Sequence, residues 1–158
     1  MSYCETFNMK FRILRLSNVI GVGDKKISRK RNALQYMIQQ VALGNKVDYL
    51  YREDSYRDYI DVRDCARAIK LVLDRGAMNE IYNIGNGIPR SINNAVFVAN
   101  SMAGERSEIE LMEPPDFHKK VQVKDMWLDT TKLKSLGYKP DYTFLDTIQN
   151  LLEHYSNG

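Results

Sequence analysis

The sequence predicts an α/β protein, and three observations carry that expectation. Short β-rich apolar runs alternate with segments whose apolar residues recur at helical spacing. Cap and turn residues stand at most of the junctions between them. The composition, 158 residues of which 44% are hydrophobic, suits a single core of ordinary size. Nine Gly, four Pro and 27% charged residues exclude a collagen-like, low-complexity or disordered chain. The formal charge of +3 is too mild to point to nucleic acid or an anionic membrane. No apolar run approaches the ~18 residues of a membrane-spanning helix, and the start Met1-Ser2-Tyr3-Cys4-Glu5 lacks the pattern of a signal peptide. Two cysteines, Cys4 and Cys65, are too few for a disulfide framework or a cysteine-rich zinc site. The expectation is one cytoplasmic unit over residues 1–158 with reduced thiols and no metal.

Along the chain, Phe11–Leu16 reads as a strand that delivers the backbone into a loop marked by Gly21 and Gly23. Leu34, Met37, Ile38 and Val41 then share a helical face, with Gly44 where a C-cap belongs. Val47–Tyr51 and Arg57–Val62 read as strands, the first with Tyr49 and Tyr51 on one face and Leu50 on the other. Asp61 is placed to cap the next helix, with Asp64 favourable to its dipole and Gly76 beyond its end. Glu80–Ile84 is a strand closed by Gly85-Asn86-Gly87, and Asn93 is expected to cap a helix reaching Met102. Glu108–Met112 is a further strand, stopped by Pro114-Pro115. Asp129-Thr130-Thr131 opens a short helix that ends at Leu136-Gly137. Thr143 and Asp146 form a capping box for a final amphipathic helix whose stripe includes Phe144, Ile148, Leu151, Leu152 and Tyr155.

The usual chemical signatures do not occur. Neither G-x-G-x-x-G nor G-x-x-x-x-G-K-[ST] is present, and Gly21-Val22-Gly23 and Gly85-Asn86-Gly87 read as turns. His118 and His154 belong to no metal motif. Asp61 and Asp64 resemble a carboxylate pair, although capping and dipole roles account for them more simply.

Four stretches in order point further: Arg15-Leu16-Ser17-Asn18-Val19-Ile20-Gly21, Arg57-Asp58-Tyr59-Ile60-Asp61-Val62-Arg63-Asp64, Ile81-Tyr82-Asn83-Ile84-Gly85 and Leu136-Gly137-Tyr138-Lys139-Pro140. Together they resemble the C-terminal half of extended short-chain dehydrogenase/reductases, the nucleotide-sugar epimerases and 4,6-dehydratases. That resemblance implies the C-terminal part of a Rossmann-type fold, contributing two sheet strands, plus a small α/β substrate domain. It also implies NAD or NADP in the complete enzyme, with neither bound by this chain alone. The family's glycine-rich turn and its Y-x-x-x-K are missing; Tyr3 is followed four residues later by Phe7. The chain is therefore expected to be a C-terminal piece, inactive by itself, or a non-enzymatic module, either an orphan domain or one that complements a separate Rossmann chain. Self-association is expected, because the Rossmann strands lack their neighbours. Surface polysaccharide synthesis is the pathway the resemblance suggests.

The resemblance assigns residues as follows. Arg57 matches the arginine that grips the diphosphate, where a guanidinium offers two parallel charge-assisted bonds; a surface pair with Asp54 or Asp58 is the alternative. Asn18 matches the asparagine that meets sugar and phosphate oxygens, or it is a turn residue before Gly21. Ser17 falls where the family approaches the nicotinamide. Asn32, Ala33 and Leu34 open the helix that lies over the nucleotide, although ordinary helix-entry packing fits them almost as well. Tyr49 and Tyr51 are candidates for stacking on the base or for core packing. The usual glycine-bearing turn after that strand is replaced by Tyr51-Arg52-Glu53-Asp54-Ser55-Tyr56. The family's second arginine is absent ahead of Asp129-Thr130-Thr131-Lys132-Leu133, where His118-Lys119-Lys120 stands, so Lys119 is its expected substitute. The basic run Lys25 to Arg31 reads as a solvated loop that could also draw a charged nucleotide sugar inward.

Overall fold

A computed structural model describes residues 2–23, 27–121 and 123–157. The strand expected after Lys10 is β1 (Arg12–Leu16), preceded by a short helix α1 (Ser2–Thr6). The strand expected at residues 80–84 is β5 (Glu80–Ile84), and it lies parallel to β1 in continuous register from Arg12↔Glu80 to Leu16↔Ile84. Between them in sequence come β2 (Asn18–Ile20), α2 (Ala33–Ala42), β3 (Val47–Tyr51), β4 (Tyr56–Asp61) and α3 (Val62–Arg75). After β5 follow β6 (Pro89–Ser91), α4 (Ile92–Met102), β7 (Ile109–Met112), α5 (Asp116–Val121), β8 (Asp125–Met126), α6 (Thr131–Ser135) and α7 (Phe144–Ser156).

Parallel β2–β4 pairing divides the molecule into two cores. Val19 and Ile60 are register partners, and both face the core built from Cys65, Ala68, Val72, Tyr82, Ile84, Leu133 and Tyr138 under β1, β5, α3 and α6. One residue along, Ile20 and Tyr59 face the other core, where α2, α4 and α7 pack with β3 and β7. The strict alternation of side chains along a strand makes this wall two-sided. β6 joins β4 antiparallel, β8 joins it parallel, and β3 pairs with β7 in a separate parallel ladder.

Cap chemistry explains most of the helix boundaries. Gly44 has φ +70, and its N–H closes on the Val41 carbonyl just past α2. Thr143 and Asp146 make the expected reciprocal capping box at α7. Asp61 caps α3 by accepting from the Arg63 N–H at 2.8 Å, so Val62 begins the helix instead of ending β4. The expected cap at Asn93 is corrected: Ser91 accepts from the Asn94 N–H at 2.9 Å. Asn93 instead spends its amide on the Tyr51 carbonyl and its N–H on Asp54. Elements α1, β2, α5, β6 and β8 were not foreseen.

The acids at the N-cap and first turn of α3, Asp61 and Asp64, also tie the last helix to the first core. The Asp61 carboxylate accepts from Arg63 Nε and Nη2, each at 2.8 Å, and from the Thr147 hydroxyl of α7 at 2.8 Å. Buried Asp64 pairs with Arg67 and accepts the N–H groups of Asp141 and Tyr142 just before α7. Neither is a free catalytic acid. Burial alone would raise the Asp61 pKa, but the Arg63 bonds and the Thr147 hydroxyl outweigh it and hold the carboxyl below its usual range.

A depressed folded-state pKa contributes stability that is full above the unfolded value, about 3.9, and is lost as pH falls through the folded value. Asp61→Asn is therefore expected to lower the urea midpoint at neutral pH and to flatten the loss of stability in acid; an unchanged acid limb would show that other groups carry it. A second expectation concerns β1 and β5, which among the described residues pair only with each other, leaving Ile13 37% and Leu16 49% exposed. Sedimentation velocity should detect concentration-dependent association, and Leu16→Lys should reduce it.

Candidate functional site

The carboxyl ends of β1 and β5 lie beside the start of β2 and the first half of β4, and the ends of parallel strands are where open α/β sheets gather ligands. Asp58 organises this region. Its carboxylate accepts from the Asn86 N–H and the Gly87 N–H, each at 3.0 Å, with the Ile88 and Leu128 N–H groups adding support. Burial raises its pKa, and those four backbone bonds moderate the rise. Gly85 is required here because a Cβ would sit 2.3 Å from Asp58 Oδ2 and 3.0 Å from Ser17 Oγ. The aspartate of R-D-Y-I and the glycine of Y-N-I-G are thus two halves of one contact.

Ser17 follows β1 and donates its N–H to the Ile84 carbonyl at 2.8 Å. Its hydroxyl is buried without a protein hydrogen-bond partner, as are Asn86 Oδ1 and Thr130 Oγ1. Buried polar atoms in that state are uncommon, and these three surround the Asp58 turn.

Arg57 points to the opposite face of β4 from Asp58. Its guanidinium donates to the carbonyls of Tyr56 at 2.9 Å, Lys124 at 2.6 Å and Val123. The alternative pairing with Asp54 or Asp58 does not occur: Asp54 accepts from Ser55, Ser91 and Asn93, and Asp58 from the turn. Three of the five guanidinium N–H groups are engaged, all by neutral acceptors, so among the described residues the charge is uncompensated and two donors are unused. Asn18 is the register partner of Tyr59, which shares the Arg57 face by alternation. The amide and the guanidinium therefore lie on one face, with Asn18 Nδ2 bonded to the Asp58 carbonyl at 3.0 Å. The Ser17 hydroxyl, beside Gly85 and Asp58, is on the other side of the wall.

The remaining expected residues are less directly placed. Asn32 stands ahead of α2 with φ +59 and no side-chain cap. Its amide reaches the Val19 carbonyl at 3.2 Å and Gln35 Oε1 at 3.1 Å. The Leu34 side chain is core, 2% exposed, so only its backbone faces any ligand over α2. Tyr51 is half-buried. The Tyr49 and Lys119 side chains, and Lys25 and Lys26 of the basic run, lie outside the described residues.

Three residues that shape this region, Gln35, Gly21 and Asp58, have no site role assigned from the sequence. Gln35 is fully buried and brackets Gly21, accepting from its N–H at 3.1 Å and donating to its carbonyl at 3.0 Å. A polar residue beside the apolar stripe of α2 was the available signal. Gly21 itself, at φ +149, leaves no room for a side chain, since a Cβ would meet Val62 Cγ1 at 2.4 Å. Asp58 stands within a motif without a role of its own in the sequence, because its N–H donors lie 28 and 29 residues downstream. The Asp129–Leu133 anchor is structural: Asp129 caps Thr131, Lys132 pairs with Glu80, and Leu133 is buried.

The model of the NAD dependent epimerase/dehydratase family matches residues 1–85, more than half of the chain, and the chain belongs to that family. It is 27% identical over 155 residues to the low-salt glycan biosynthesis protein Agl12 of Haloferax volcanii, covering 98% of this chain and 47% of that protein. It is 23% identical over 150 residues to the dTDP-4-dehydro-6-deoxyglucose reductase of Escherichia coli, covering 94% of this chain and 46% of the relative. The chain thus spans about half the length of the curated relatives it matches. In fold it is similar to the UDP-glucose 4-epimerase of Thermotoga maritima solved with UDP-glucose, with TM-score 0.81, 23% identity, and 99% of this chain covering 49% of that one. An epimerase from Methanothermobacter thermautotrophicus gives TM-score 0.85 at 16% identity, covering 99% and 46%. These likenesses establish the Rossmann-type α/β fold.

Among the described residues, no group of three or more His, Cys, Asp or Glu side chains could hold a metal, and no helix is long and apolar enough to cross a membrane. Gly85→Ala forces a methyl into the Asp58 carboxylate and is expected to cost about 1–3 kcal/mol. Urea unfolding measures it; a loss well under that range would mean that the turn relaxes freely and does not depend on close approach.

Proposed function

We propose that this chain is the nucleotide-sugar-binding portion of an NAD(P)-dependent sugar epimerase or 4,6-dehydratase, and that residues 1–158 act as one unit without catalysing turnover alone. The observation that carries this reading is the uncompensated Arg57 guanidinium on the same strand face as the Asn18 amide. A sugar nucleotide presents a diphosphate and neighbouring hydroxyls, which need a fixed cation and a group that both donates and accepts. Main-chain carbonyls hold Arg57 in place without neutralising it, so it is preorganised for an anion. Arg57 and Asn18 bind the phosphate bridge in this reading, the start of α2 at Asn32 and Leu34 covers the nucleoside, Tyr49 and Tyr51 flank the base, and Lys119 adds a point charge.

NAD(P), when bound, supplies reversible acceptance of a hydride from the sugar. The residues present fit one edge of such a cofactor: the Ser17 hydroxyl has no partner, and Gly85 admits close approach at the ends of two parallel strands. A complementing module for a separate Rossmann chain is the second reading, favoured by the open edges of β1 and β5.

Calorimetric titration with UDP-, dTDP-, GDP- and CDP-sugars tests the proposal. One of them is expected to bind saturably, and Arg57→Ala should weaken it about tenfold or more. Absence of binding to all four classes, or turnover by the isolated chain with added NAD, would overturn the reading.

A further inference from the structure

A second arginine stands opposite Arg57 across a strand pair. In the antiparallel β4–β6 pairing the register partners are Tyr56↔Ser91, Arg57↔Arg90 and Asp58↔Pro89. Directly opposed residues of an antiparallel pair project from the same face. Side-chain geometry agrees: the Arg90 guanidinium lies over the Phe144 ring at 5.4 Å, and Phe144 stacks on Tyr59 at 5.6 Å. Tyr59 is two residues from Arg57 and shares its face.

Like charges directly opposite on neighbouring strands are destabilising. Here no acid relieves them: among the described residues neither arginine makes an ion pair with a carboxylate. The acids nearby in sequence are committed elsewhere. Asp54 accepts from the Ser55 N–H, the Asn93 N–H and the Ser91 hydroxyl, and Asp125 accepts from the Tyr56 N–H. Among the described residues Arg57 leaves two donors unused, and Arg90 is exposed and bonded to no carbonyl. An anion with two charged centres would satisfy both groups and remove their repulsion.

We propose that Arg57 and Arg90 form a two-strand clamp for the diphosphate of the ligand, Arg90 supplying the second fork from β6. This inference rests on the nucleotide-sugar reading above. It gives the pocket a second planar donor although His118-Lys119-Lys120 offers none at the place where an arginine is expected. The cation–π contact with Phe144 keeps the Arg90 side chain on this face.

The test is calorimetric titration of the 158-residue chain with inorganic pyrophosphate and with orthophosphate, at two salt concentrations. The unsubstituted chain should prefer pyrophosphate. Arg90→Gln should weaken pyrophosphate about tenfold, with a smaller effect on orthophosphate and a shallower salt dependence. Arg90→Lys, which keeps the charge but loses the fork, should fall between. Among the described residues Arg90 makes no hydrogen bond to the main chain, so its variants should keep the circular dichroism of the parent, and Arg90→Gln, which removes the opposed charge, should hold or raise the urea midpoint. Pyrophosphate binding that is weakened by Arg57→Gln but not by Arg90→Gln overturns the clamp and leaves the nucleotide-sugar reading standing. A parent chain that binds neither anion, or does not distinguish them, overturns both.

Discussion

A single buried carboxylate sets the geometry of the candidate site. Asp58 gathers backbone N–H groups from the turn after β5 and from Leu128. Leaving that charge underground without them would be prohibitive, since an unpaired buried carboxylate either neutralises or unfolds its surroundings. The bonds fix the end of β5 against β4, and the period-two alternation of β4 then sends Arg57 to the opposite face. The neighbour that fits beneath Asp58 can only be glycine, because Gly85 has no room for even one carbon more. A motif aspartate and a motif glycine that look like separate signals in one dimension are thus a single packing constraint.

The same alternation explains how a small chain supports two cores. β2 and β4 form a wall whose residues are shared out in turn, Val19 and Ile60 to one side, Ile20 and Tyr59 to the other. Asp61, at the end of that wall, joins α3 and α7 through Arg63 and Thr147. Charged side chains on this wall are tolerated because each acid is satisfied by backbone or guanidinium donors. The arginines differ: Arg57 is held by carbonyls, which fix its position and leave its charge intact. That separation of positioning from neutralisation is the physical basis of the proposed anion-binding role.

Membership of the NAD dependent epimerase/dehydratase family and the likeness to Rossmann-type epimerases agree with this arrangement. Such folds place their ligands at the carboxyl ends of parallel strands, and here those ends carry the orphaned Ser17 hydroxyl on one side of the wall and the Asn18 amide on the other. The boundary between the two faces passes between adjacent residues, so a one-residue slip of β2 would exchange their roles.

The α/β class, the principal helices with most of their caps, and the strands β1, β3, β4, β5 and β7 were legible in the sequence because their signals are local. Thr143 with Asp146, Asp61 before α3 and Gly44 after α2 all act within a few residues of themselves. Asn93 was misread as a cap for the same reason: Ser91 and Asn93 are both capping types, and only the distant Tyr51 carbonyl and Asp54 decide between them. The short strands β2, β6 and β8 have no periodicity of their own and exist only by pairing with β4. Candidate ligand residues could be nominated from the order of four motifs, but their surroundings could not. Two of the three carbonyls that hold Arg57 lie 66 and 67 residues away, and Arg90 comes opposite it only through strand pairing. Local chemistry thus determined which segments form, and long-range hydrogen bonding alone decided which charges meet.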